Sequence, residues 1–154
     1  MKTMEVENIM SPDDVKTDAK DFTSQHETRT SMKAMEVKGF ASPDEVRTFP
    51  KGKLELIKVG NVMIGKATFE PGWKWSSHVR PLVKTRSCEA PHFQYHISGT
   101  LHVVTDSGET RDVKAGEISA LGSGHDAWVV GNEPVVVIDF QGMRDYAKPM
   151  RTEK

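Results

Sequence analysis

From Leu54 onward, short apolar runs alternate with turn residues at intervals of about ten residues, a texture that predicts β-strands. Leu54–Val59, Val62–Phe69, Phe93–Ile97, Leu101–Thr105 and Val135–Phe140 carry the β-branched and aromatic residues. Gly60-Asn61, Pro71-Gly72, Ser98-Gly99, Ser107-Gly108, Ala115-Gly116, Gly122-Ser123-Gly124 and Gly131-Asn132 punctuate them. Spacing this tight favours an all-β sandwich or barrel over alternating βαβ units, and a double-sheet jelly roll is the most economical arrangement.

Strand parity then decides which side chains can meet, because alternate residues of a strand face the same way. His92, Gln94 and His96 share one face of their strand, with Phe93, Tyr95 and Ile97 on the other. If Trp73 to His78 continues as a strand, His78 lies with Ser76 and opposite Trp73 and Trp75, which would then sit under the N-terminal segment or a second subunit. His102 alternates with Leu101 and Val103 and is expected to face solvent.

The first 31 residues differ in character, being poor in aromatics and rich in Asp, Lys, Thr and Glu, so alone they bury too little apolar surface to offset chain entropy. Met1–Thr17 nevertheless repeats at Met32–Thr48, with ten of seventeen aligned positions identical. Each copy ends in a helix-start pattern: Ser11 or Ser42 as N-cap, Pro12 or Pro43 next, and Asp14 or Glu45 three residues beyond the cap. The repeat reads either as an extra strand and turn that pairs with a second subunit, or as a duplicated packing element. The expected organisation is an extension (residues 1–31), a lead-in (32–52), a β-barrel (53–147) and a polar tail (148–154).

Composition narrows the function classes. A chain of 154 residues with 36% hydrophobic residues suits one domain with a useful core, and a net charge of −1 favours neither nucleic acid nor anionic membrane. Basic residues are scattered, so no nucleic-acid footprint emerges. Cys88 is the one cysteine, which excludes an internal disulfide and fits a reducing compartment. With no signal-peptide pattern or membrane-length apolar run, a cytoplasmic location is expected. Phosphate-binding glycine loops, nucleophile elbows and cysteine-rich zinc fingers are missing from the sequence.

The informative chemistry is a set of histidines at fixed distances from turn glycines. His78 stands six residues after Gly72, His92 seven before Gly99, and His125 directly after Gly122-Ser123-Gly124. Neutral imidazoles from different strands offer lone pairs to a transition metal, so His78, His92, His96 and His125 are the candidate ligands, with a hydrogen-bonded core role the competing reading for each. Iron is the first candidate, with zinc, nickel or copper as alternatives. Arg80, Lys84 and Arg86 make the segment Val79–Pro91 basic against Glu89. It is either a solvated loop or an anion-binding one, since guanidinium groups suit bidentate carboxylate binding. Cys88 could serve as a soft ligand, a redox-sensitive thiol or inert packing. Asp126 could orient an imidazole or cap the preceding turn, and Trp128 has the parity of a packing residue.

These glycine–histidine spacings resemble the two signatures of the cupin superfamily, the second block being Gly116–His125. The resemblance implies a double-stranded β-helix, the cupin-type jelly roll, with a metal at its mouth. The pattern departs from the general one: the second histidine of the first signature falls on Arg80, its glutamate on His92, and the usual proline and histidine of the second block on Gly122 and Ala127. More closely, residues 39–147 look like a group of small single-domain cupin proteins. The carrying segments are Ser42–Arg47, Phe69–Trp75, Ser87-Cys88 with His92 and Ser98-Gly99 after it, and Gly124–Gly131. In that group the His96 position is usually aliphatic.

Two function classes follow. The first is a metal-dependent enzyme acting on a small, anionic organic molecule, with oxygen-dependent cleavage the first chemistry to test. His96 would be its fourth ligand or acid/base group, and Arg80, Lys84 and Gln94 its substrate-binding residues. The second is a non-catalytic barrel that binds or senses a metabolite. Either would pair into a homodimer, which covers exposed strand edges.

Overall fold

The alternating runs fold as antiparallel strands in a computed structural model that describes residues 34–149. In chain order these are β1 (Glu45–Phe49), β2 (Gly52–Val59), β3 (Val62–Phe69), β4 (His92–Ser98), β5 (Thr100–Thr105), β6 (Thr110–Lys114), β7 (Ile118–Leu121), β8 (His125–Val130) and β9 (Val135–Asp139). Two single-turn helices, α1 (Trp75–His78) and α2 (Arg80–Val83), interrupt them between β3 and β4. A six-stranded sheet runs β1-β2-β3-β9-β4-β7, and a three-stranded sheet runs β6-β5-β8. Among the described residues no helix is long and apolar enough to cross a membrane.

The helix expected to start at Ser42 is replaced by β1. Asp44 anchors the segment to β2, its backbone N–H donating to Leu56 O (2.8 Å) and its Oδ2 accepting from Lys58 N (2.7 Å). Glu45 then pairs with Leu56, and the register runs on until Phe49, opposite Gly52, enters the core. Sheet pairing and one buried ring outweigh the capping signal, a case of tertiary context overriding local propensity. The corresponding start at Ser11, with the rest of the 1–31 extension, lies outside the described residues, as do residues 150–154 of the tail.

The core fills the space between the sheets with inward-facing Leu54, Leu56, Ala67, Phe69, Val135 and Val137, against Leu101, Val103 and Val129. Trp73 and Trp75 belong to it as well, almost fully buried, where parity had put them on an outer face. Pro71-Gly72 breaks the chain direction, and Gly72 takes φ 83°, so Trp73 stacks on Phe69 at 4.0 Å between ring centroids. The turn of α1 then carries Trp75 inward.

Behind β9, the segment after Asp139 folds back across one end of the barrel. Gly142 sits in left-handed backbone (φ 89°) directly on Pro91, where a Cβ would collide with the Pro91 carbonyl oxygen. Arg47 of β1 clamps this strap: Nη1 donates to Tyr146 O (2.7 Å) and Met143 O (3.3 Å), and Nη2 to Arg144 O (2.7 Å). A lysine cannot reproduce that fork. Arg47→Lys is therefore expected to lower stability by about 1–3 kcal/mol, seen as a lower urea midpoint at unchanged m-value. An unchanged midpoint would mean that the strap does not need the clamp.

Candidate metal centre

β4 is built inside out. Its inward positions are His92, Gln94 and His96, all buried, whereas Phe93, Tyr95 and Ile97 point outward. Buried polar groups need partners, and the main partner comes from the neighbouring strand β9, where Asp139 shares the inward parity of Val135 and Val137 and pairs with Gln94 in register. Asp139 is fully buried. Its Oδ2 accepts from His92 Nδ1 (2.6 Å) and Gln94 Nε2 (2.9 Å), and its Oδ1 accepts from Gln141 N (2.7 Å).

The second sheet supplies the opposing imidazole. Cys88 is bridged to the first residue of β8, with Cys88 N donating to His125 O (2.8 Å) and Gly124 N to Cys88 O (2.7 Å). This pairing carries the thiol beside His125, and the His92 and His125 rings meet edge-on at 5.4 Å. The ligand atoms of Cys88, His92 and His125 lie within 4.8 Å of one another, all three residues being buried.

Hydrogen bonding fixes both tautomers. The Gly122 carbonyl can only accept, so His125 Nδ1, 2.8 Å away, carries a proton and leaves its lone pair on Nε2. Asp139 does the same for His92, whose Nε2 lies 3.5 Å from Cys88 Sγ. Burial holds the His125 pKa below its ordinary value, only partly opposed by the Gly122 bond, which keeps the ring neutral and able to coordinate. Burial also pushes the Cys88 thiol up to about 12, so its sulfur stays protonated unless a cation compensates.

The cluster borders a cavity of about 20 Å³, walled also by Trp73, Trp75, Gln94, Leu121 and Tyr146. That is room for one ion or one water molecule. Two polar atoms of its wall residues, Trp73 Nε1 and Gln94 Oε1, are buried without a protein partner. Two anchored imidazoles, one thiol, the unsatisfied Gln94 Oε1 and an ion-sized space fit a transition-metal ion in chemistry and in size.

Outside this chamber, and sharing Trp75, Cys88 and Tyr146 with it, is a vestibule of about 270 Å³. Its polar lining is Thr85, Glu89 and Asp145, and no basic side chain contributes. A larger cavity of about 570 Å³ opens between the edges of β6 and β7, but it contains none of the three cluster residues and meets the chamber only at Leu121. The smaller spaces are the relevant ones, since the ligand atoms are there.

Of the four expected histidines, the structure brings together His92 and His125, with Cys88 as the third member. His78 lies in α1 rather than on a strand, its Nδ1 held at the Lys74 backbone (2.9 Å from N). The helical turn, anchored by Asp126 Oδ1 accepting from Ser76 N (3.0 Å), abolishes the parity that would have turned His78 inward. His96 faces inward but four residues along β4 from His92, about 13 Å away at strand rise. Its Nε2 meets Ser119 Oγ at 3.0 Å, and its Nδ1 has no partner. Arg80 and Lys84 are exposed and line neither chamber nor vestibule. Asp126 anchors α1 and touches no imidazole, while Trp128 packs outside the sheet against His102, at 4.4 Å.

Asp139 is the functional residue that sequence reasoning missed. Its signal was present: one acid at inward parity in the apolar run Val135–Phe140. Tyr146, edge-on to His92 at 5.6 Å, gave no local signal, because only the folded strap brings it there.

No family model and no curated protein matches the chain. Among solved structures it is similar to an RmlC-like cupin from Shewanella frigidimarina, with 18% identity, a TM-score of 0.50, and coverage of 72% of this chain and 95% of that one. KdgF from a Halomonas species is similar at 18% identity and a TM-score of 0.45, over 62% of this chain and 84% of that one. A cupin-like protein from Thermotoga maritima follows at 15% identity and a TM-score of 0.44, over 70% and 79% of the two chains.

Burial lowers the pKa of His96 below its ordinary value. The unfolded chain takes up that proton near about pH 6.5 and the native chain only at lower pH, so this contribution to stability is present above about pH 6.5 and lost as pH falls. His96→Gln is expected to shrink the loss of stability between about pH 7 and about pH 5, measured by urea unfolding at both. An undiminished loss would exclude His96 as its source. In strand order, in the facing of its two sheets and in its likeness to the Shewanella protein, this chain has the cupin fold, a double-stranded β-helix of jelly-roll type.

Proposed function

We propose that this barrel is a metal-dependent cupin enzyme that holds one transition-metal ion through Cys88, His92 and His125. Its substrate is a small organic molecule that is uncharged or amine-bearing. The observation that carries this reading is the convergence of three ligand atoms on an ion-sized space, with both imidazole tautomers fixed by bonds from behind. A thiolate with two imidazoles selects zinc, iron or copper over magnesium or calcium. The ion would supply Lewis acidity or, if it is iron, the oxygen-dependent oxidation expected from the sequence.

The chain's own groups have definable parts. Asp139 orients His92 as a ligand by accepting from its Nδ1. Gln94 Oε1 can accept, and Trp73 Nε1 donate, one hydrogen bond to a small polar group in the chamber. Trp75, Cys88 and Tyr146 form the partition through which a molecule in the vestibule would meet the centre. An anionic substrate held by Arg80 and Lys84 is disfavoured, because neither lines the vestibule whereas Glu89 does; Asp145 lines it too, but paired with Lys148 at 2.7 Å. His96 is too distant along β4 to exchange a proton at the cluster.

The water-sized chamber also favours a second reading, a non-catalytic module in which the metal fixes the barrel and a ligand is only bound. Elemental analysis of tag-free protein, followed by turnover assays on metal-loaded chain, separates the two. About one ion per chain is expected in wild type, with near-complete loss in His92→Ala, His125→Ala and Cys88→Ser. His78→Ala should retain the ion. Asp139→Asn is expected to weaken metal affinity about 10–100-fold. Cobalt-loaded wild type should show sulfur-to-metal charge transfer in the near ultraviolet that Cys88→Ser abolishes. Metal-free wild type after anaerobic reconstitution would sink both metal readings.

The vestibule's chemistry has its own test. Benzyl alcohol and benzylamine are expected to perturb the Trp75 indole resonance, benzoate is not, and Glu89→Gln should remove any preference for the amine. Preferential binding of benzoate would reverse the assigned substrate class.

A further inference from the structure

The outward side of β4 leaves an apolar face uncovered. Phe93 (46% exposed), Tyr95 (43%) and Ile97 (47%) are joined across the register by Ile118 (66%), opposite Tyr95 on β7, and by Phe140 (47%), whose ring lies 6.5 Å from that of Phe93. An antiparallel sheet packed on one side normally turns polar residues to water on the other. Here the polar residues of β4 are spent on the barrel interior, and the outer positions of β4, β7 and β9 carry no charged side chain.

We infer that this face is where a second copy of the chain docks, the two outer faces of β7-β4-β9 meeting about a two-fold axis near Tyr95. Area supports that occupant. At about 200 Å² per large side chain, the exposed fractions of the five residues amount to roughly 500 Å² of apolar surface. One partner's share of a standard interface is about 800 Å², of which about 60% is apolar, or roughly 500 Å². Charge supports it too. A face without charge complements itself under two-fold symmetry, whereas an ionic partner would lose hydration there and find no counter-charge. The aromatic centre has the composition of an interface hot spot.

The inference is independent of the metal, because every residue in it points away from the barrel interior. Light scattering on the full chain is expected to return twice the 17.2 kDa chain mass. Tyr95→Lys should weaken dimerisation at least about 30-fold, the loss expected for a central aromatic. Ile118→Lys serves as a second variant should Tyr95→Lys fail to fold, with circular dichroism and thermal unfolding reporting the fold of each. Val62→Lys, at the exposed β2–β3 turn, should leave the mass unchanged. A monomeric wild-type chain overturns the proposal, whether the face stays bare or residues outside the described range cover it. A dimer left intact by both folded face variants overturns it equally.

Discussion

Asp139 is a carboxylate with no exposed surface, and the geometry of the centre depends on it. An unpaired buried carboxylate would be strongly disfavoured, but here both oxygens are engaged, by His92, Gln94 and the Gln141 backbone. The same bonds fix the His92 tautomer and hold Gln94 against the chamber. Loss of the carboxylate would leave two buried polar side chains of β4 without their partner. The strand that supplies it, β9, lies between β3 and β4 in the larger sheet, so the centre rests on an interior strand rather than on a loop.

The opposite half of the centre is assembled differently. His125 arrives at the first residue of β8, and Cys88 on a connection that becomes strand-like only where it bridges to His125. Joining a backbone bridge to a ring anchored on Gly122 fixes thiol and imidazole together. The strap after β9, pressed against Pro91 and clamped by Arg47, then brings Tyr146 against His92 as one wall of the chamber. The strap is held mainly by backbone carbonyls bonded to one guanidinium. One wall of the site and the attachment of β1 are therefore mechanically linked.

The inverted pattern of β4 ties interior to exterior. Polar residues placed inward for chemistry displace apolar residues outward, and period-two alternation makes the two inseparable. A strand that lines a polar chamber in a small barrel thus pays with an apolar outer face, and a second copy would cover it.

Much of this was legible in the chain. Apolar runs separated by turn glycines determined the strands β2, β3, β4, β5 and β9, because period-two burial and turn chemistry are local properties. Parity alone set His92, Gln94 and His96 on one face of β4. The strands β1 and β6 were not legible, since their residues become strands by pairing with stronger neighbours, while β7 and β8 were marked only by the resemblance of the block Gly116–His125 and the parity of His125 with Trp128. Which histidines converge was decided by tertiary structure. A helical turn at Trp75–His78 took His78 out of parity, and strand rise separated His96 from His92. A bridge to β8 brought in Cys88, and register between β4 and β9 brought in Asp139. Parity fixes a direction from the strand, but proximity needs register between strands and the path of the loops, which are set by long-range pairing that no local pattern encodes.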